Sequence, residues 1–141
     1  MAANTIPIYT KAGQSSWCTL TTGVTAQTGV GATLLFTAGA DGARVERITI
    51  RPLGTNVATA LRIFLNNGSD NATAGNNALV AEKTIAANTV SQVAESALNE
   101  LPTATHPTAF PMVLPAGYRL YASIGTTVAA GLIVTAIGGT Y

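Results

Sequence analysis

The chain has 141 residues, one domain by length, and its net charge is +1 with only 9% of residues charged, where an ordinary soluble domain carries about 25%. A balance so close to neutral offers no electrostatic footprint for nucleic acid, and so little charge points to a surface that works covered by neighbours, because charge is what keeps a free protein dispersed. Cys18 is the sole cysteine and His106 the sole histidine, which excludes an intrachain disulfide and the multi-ligand zinc signatures.

Residues 1–14 hold Pro7 and Gly13 and little periodicity, and they read as an extended N-terminal arm. Ile6, Ile8 and Tyr9 give that arm apolar side chains to lay on a neighbouring subunit. The opening Met-Ala-Ala-Asn-Thr-Ile-Pro-Ile lacks a basic n-region and an apolar core, so no signal peptide is expected. Residues 15–141 read as a single β-sandwich domain. Its first strand is expected over 17–22 and a short apolar strand over 33–37, with a polar loop between them. Gly29-Val-Gly31 in that loop lacks the third glycine and the following helix of a phosphate-binding turn. Asp41-Gly42 is a hairpin signal.

The segment 44–66 reads as two paired strands joined at Gly54-Thr55-Asn56, the first ended by Pro52, which cannot donate to a ladder. Side chains alternate across a sheet. Glu46, Ile48 and Ile50 therefore share one face, with Arg47, Thr49 and Arg51 on the other. Leu61, Ile63 and Leu65 share a face opposite Ala60, Arg62 and Phe64. Four of the five arginines, Arg44, Arg47, Arg51 and Arg62, fall in this segment. The alternation puts Arg47, Arg51 and Arg62 together on an outer, partner-facing surface.

Residues 67–77 form a polar loop. Its only carboxylate, Asp70, is too few ligands for calcium. The sequons at Asn67 and Asn71 matter only on a eukaryotic secretory route. A strand follows over 78–85. Residues 91–101 fit helical spacing or a strand, and the β context favours strand or irregular structure. A loop with His106 leads to a short strand at 110–114, a turn at Pro115-Ala116-Gly117, and a strand over 118–124. From Leu120 to Tyr141 no residue is charged, which alone would flag a membrane helix. Four glycines and five Ser/Thr residues break that run, so it reads as two strands joined by a turn.

About eight short strands between Gly/Pro/Asn turns make the expected fold all-β: an antiparallel, jelly-roll-like sandwich. Its core is expected to contain Ile48, Ile50, Leu61, Ile63, Leu65, Leu120 and Ile124. No cofactor, metal or catalytic residue is expected. His106 has no nucleophile elbow near it. Cys18 reads as a buried structural thiol. The six carboxylates are scattered along the chain. Trp17, Tyr118, Tyr121 and Tyr141 suit a core or an interface better than a sugar platform.

The 44–68 segment, with its Arg-Val-Glu-Arg-Ile-Thr-Ile-Arg-Pro-Leu-Gly-Thr-Asn core, resembles small virion structural proteins of tailed bacteriophages. Segments 79–85, 114–124 and 134–141 look like that group in general pattern. The resemblance implies a non-enzymatic role in an assembly, as a capsid cement or decoration protein on the virion surface. Its partners would then be the major capsid protein and further copies of itself, most plausibly as a trimer, with neither nucleic acid nor membrane involved. A carbohydrate- or receptor-binding β-sandwich module of a tail or fibre is the alternative. A hydrolase lacks a visible set of acid, base and nucleophile.

Overall fold

The computed structural model describes residues 9–102 and 109–141. The described residues hold nine strands: β1 (Ala12–Leu20), β2 (Thr33–Thr37), β3 (Ala43–Pro52), β4 (Thr59–Asn66), β5 (Asn77–Ile85), β6 (Asn99–Leu101), β7 (Met112–Leu114), β8 (Arg119–Ile124) and β9 (Leu132–Thr140). They form two antiparallel sheets. The first has the order β1-β9-β3-β6, with β7 also on β3, and the second has the order β2-β8-β4-β5. β6 pairs with Ile48–Ile50 and β7 with Ala43–Val45. These two short strands thus share one edge of the first sheet, leaving eight strand positions in a jelly-roll arrangement, as expected.

The core lies between the sheets. From the first sheet come Val45, Ile48, Ile50, Leu132 and Val134; from the second come Leu61, Ile63, Leu120 and Ile124. Every one of them is fully buried. Residues 91–98 adopt no helix or strand, and β6 begins at Asn99.

Several sequence expectations need correction. β3 and β4 do not pair: they belong to opposite sheets, and residues 53–58 carry the chain from one sheet to the other. The same is true across Asp41-Gly42, which joins β2 to β3, and across the turn joining β8 to β9. Gly42, at φ 91°, makes its turn as its neighbours suggest, but the turn crosses the sandwich. Glu46 does not share a face with Ile48 and Ile50. A bulge between Val45 and Arg47 shifts the register on β9, so Glu46 and Arg47 both face out while Val45 and Ile48 face in. Gly138 makes room there, since a side chain at that position would collide with the Arg44 carbonyl. Leu65 is only half-buried and packs on the rim of the core, whereas Phe64, expected outside, is fully buried.

Residues 12–14, expected in the arm, belong to β1. Ladder pairing starts at Ala12 against Thr140, and the Lys11 amide donates to the Thr140 carbonyl at 2.7 Å. β9 runs on through Thr140, and its backbone groups take 12–14 as partners. Tyr9 is exposed; Ile6 and Ile8 lie outside the described residues, as does His106.

Candidate functional site

The two sheets differ in what covers their outer faces. On the second sheet, Arg62, Phe64 and Asn66 point outward from β4, yet Arg62 is 9% exposed and the other two are fully buried. Two loops seal them. Arg62 Nη1 donates to the Val24 carbonyl at 3.1 Å, while its Nε donates to Glu82 Oε1 at 3.0 Å. Beyond Phe64, Asn66 Nδ2 donates to Asn77 Oδ1, Asn77 Nδ2 to the Asn71 carbonyl, and Asn71 Nδ2 to the Ala32 carbonyl. The loops 23–32 and 67–77 are therefore anchored on both sides of Phe64. Asp70 is engaged within its own loop, accepting from the Thr73 amide and from Asn76 Nδ2.

Arg62 accordingly does not share a surface with Arg47 and Arg51. It sits in the opposite sheet, held by a partly buried ion pair and a loop carbonyl. Alternation correctly turned it away from Leu61 and Ile63, but the hairpin that would have set it beside Arg47 does not exist.

Among the described residues the outer face of the first sheet carries no such cover. Register aligns Trp17 with Thr135, Thr135 with Thr49, and Thr49 with Glu100. On one side lies the row Ser15, Ile137, Arg47; on the other, Thr19, Ile133, Arg51. Trp17 is 66% exposed, and the half-buried Ile133 and Ile137 lie between it and the arginines. β1 and β3 flank β9, so Trp17 stands about 10 Å from the arginine line, while Arg47 and Arg51 are about 13 Å apart along β3. The result is an aromatic apex, an aliphatic middle and two cations, with the Glu100 carboxylate on the row between them.

Neither cation forms an ion pair among the described residues. The three ion pairs are Lys11–Asp41, Arg44–Glu46 and Arg62–Glu82. Arg51 Nη1 reaches only the Ser96 carbonyl, at 3.5 Å. A planar fork without a carboxylate is suited to receive one from outside. Ile133 and Ile137 are the members of this face that sequence reasoning missed; Trp17 was read as a core or interface aromatic without being placed on this face. The signal was available: β9 is apolar on both sides of its alternation, with Leu132, Val134 and Ala136 inward and Ile133 and Ile137 outward.

Among the described residues no group of three or more His, Cys, Asp or Glu side chains gathers. Two hollows, of about 150 and 210 Å³, fall below the roughly 300 Å³ at which ligand pockets begin. Trp17 and Tyr121 lie on opposite sheets and cannot belong to one stripe. Cys18 faces the core beside the exposed Trp17, and burial pushes its thiol up from 9.0 to about 11. The unfolded chain gives up that proton first as pH rises, so Cys18 favours folding below about pH 9 and ceases to do so toward pH 11. Denaturant unfolding at about pH 8 and about pH 10.5 is expected to show a larger loss of stability for the natural chain than for Cys18→Ala. An equal loss in both would exclude the thiol as the cause.

No protein-family model matches the chain, and neither a curated protein nor a solved structure does.

Proposed function

We propose that this chain is a non-enzymatic structural protein of a tailed-phage virion: a cement or decoration protein that binds the major capsid shell from outside and assembles with copies of itself as a trimer. The observation that carries the reading is the asymmetry of the sandwich. The centre of one outer face is sealed by the chain's own loops, while the other presents Trp17, Ile133 and Ile137 beside two arginines that pair with no carboxylate among the described residues. Protein interfaces concentrate aromatic side chains and arginine in this way. The low charge content lowers the desolvation cost of covering such a surface, and the phage-like 44–68 segment supplies Arg47 and Arg51.

The test uses empty capsids of the tailed phage that encodes the chain. The purified protein is expected to sediment with them at saturable stoichiometry and to raise the temperature at which the shells break open. A protein that stays in the supernatant at tens of micromolar and leaves shell stability unchanged would overturn the assignment.

A further inference from the structure

The open edge of a β-sheet shows a row of unpaired backbone amides and carbonyls, which can take up a strand from another chain. The edges of this sandwich differ in how they meet that hazard. On the second sheet, β2 is closed by side chains of β1: Ser16 Oγ donates to the Leu35 carbonyl at 2.6 Å, and Gln14 Nε2 to the Thr37 carbonyl at 3.2 Å. On the first sheet, β6 and β7 are three residues each, and very short edge strands make poor templates. β5 has nine residues. Among the described residues it pairs with β4 alone, and no backbone bond outside that ladder reaches 78–85.

Two features of β5 oppose a further strand. The register on β4 shifts between Leu79 and Ala81, which leaves Val80 as an extra residue that bends the edge. The second feature is Lys83. Register sets Lys83 opposite Leu61, Ala81 opposite Ile63 and Ile85 opposite Thr59. Lys83 therefore stands between the buried Ala81 and Ile85, on the face that looks into the sandwich. Glu82 and Thr84 take the outer face, where Glu82 holds Arg62. Lys83 is half-buried and enters no ion pair among the described residues.

We infer that Lys83 guards this edge and keeps copies of the chain from adding strand to strand along β5. The inference does not rest on the capsid reading. Leu61, its neighbour on β4, is fully buried, so the ammonium finds water on the side of the edge while its methylene stem lies along the apolar rim. A strand laid on β5 would set a side chain directly opposite Lys83 on the same inward face. That side chain covers the ammonium, and the charge is left among apolar groups without a carboxylate. A second copy supplies no remedy. In a continuous sheet built by a twofold axis normal to it, the inward faces of both copies lie on one side, so Lys83 meets Lys83 there. Glu82, the only carboxylate of β5, stays on the other side.

The experiment is sedimentation velocity on the full chain from about 1 to 100 μM, spanning ordinary association strengths, with amide exchange of residues 77–85 followed on the same samples. The natural chain is expected to show exchange in β5 that does not change with concentration. Lys83→Met keeps the length of the stem and removes the charge. It is expected to grow to about twice the natural mass or more at the upper concentration, with amides of β5 protected as it grows. Lys83→Arg restores the cation and is expected to sediment as the natural chain does. Lys83→Gln carries the test if circular dichroism shows Lys83→Met unfolded. A charge-free variant that sediments as the natural chain does at every concentration would overturn the inference. So would one that grows while exchange in β5 stays unchanged, or a natural chain whose β5 becomes protected as concentration rises.

Discussion

Phe64→Ala is expected to cost about 3–5 kcal/mol in denaturant unfolding, the range for emptying a fully buried phenylalanine site. The size follows from the cover, not from the main core. Phe64 sits on the outer face of β4, in a row with Leu34, Tyr121 and Leu79. The ends of that row, Leu34 and Leu79, remain 46% and 40% exposed. Only the centre is sealed, between the Arg62–Val24 anchor and the asparagine relay from Asn66 to Ala32. Ala32 is itself buried. Removing the ring leaves the two loops spanning a void that their short polar side chains cannot fill. Amide exchange in residues 23–32 is therefore expected to accelerate more than exchange in β9, since local opening needs only the cover to lift. Leu79→Ala, at the exposed end of the same row, is expected to cost under about 1 kcal/mol. A Phe64→Ala cost as small as that would show this face to be open, and the asymmetry assigned to the sandwich would go with it.

Phe64 also shows where the sequence stops being readable. Alternation placed it opposite Ile63 correctly, and placed Arg62 on the same side as Phe64 correctly. Whether an outward side chain meets water depends on loops whose path has no periodicity to read. Asn66, Asn71 and Asn77 could be seen only as polar loop chemistry, although each proves to be a fastener. The turns were legible as turns at Asp41-Gly42, Gly54-Thr55-Asn56 and Gly125–Gly131. Their destinations were not, because a strand that pairs with its predecessor and a strand that crosses to the facing sheet both bury every second residue. Hence the fold class and the inward residues Ile48, Ile50, Leu61, Ile63, Leu120 and Ile124 could be read, while the neighbour of each strand could not. The error moved one arginine. Arg47 and Arg51 share a strand, so period two alone joined them across the distance between them. Arg62 was added through a pairing that the two-sheet arrangement forbids.

The largest functional effect is expected at Trp17. On the cement reading, Trp17→Ala should weaken retention on empty capsids by at least about 30-fold, the scale of an interface anchor worth 2 kcal/mol or more. The side chain is 66% exposed in the free chain, so its truncation costs the fold little and any lost affinity reflects the partner. Arg47→Gln/Arg51→Gln separates two ways in which the cations can act. At 13 Å apart they lie beyond the roughly 8 Å screening length at physiological salt, so they barely repel each other and the free face is not strained by them. If they stand at the rim of the contact, the double variant slows association and its defect fades as salt rises. If a partner carboxylate closes over them and water leaves, the loss appears in dissociation, reaches 2–5 kcal/mol, and persists at high salt. Ile133 and Ile137 favour the second outcome, since they place apolar surface directly beside both forks. Deleting residues 1–8, which precede the first ladder pair at Ala12, tests the arm: a loss of retention equal at all salt concentrations is the mark of an apolar contact. Retention of Trp17→Ala and of the double arginine variant at natural strength, with both folded, would remove the first sheet from the docking surface. The arm would then be the place to test next for a hold on the shell.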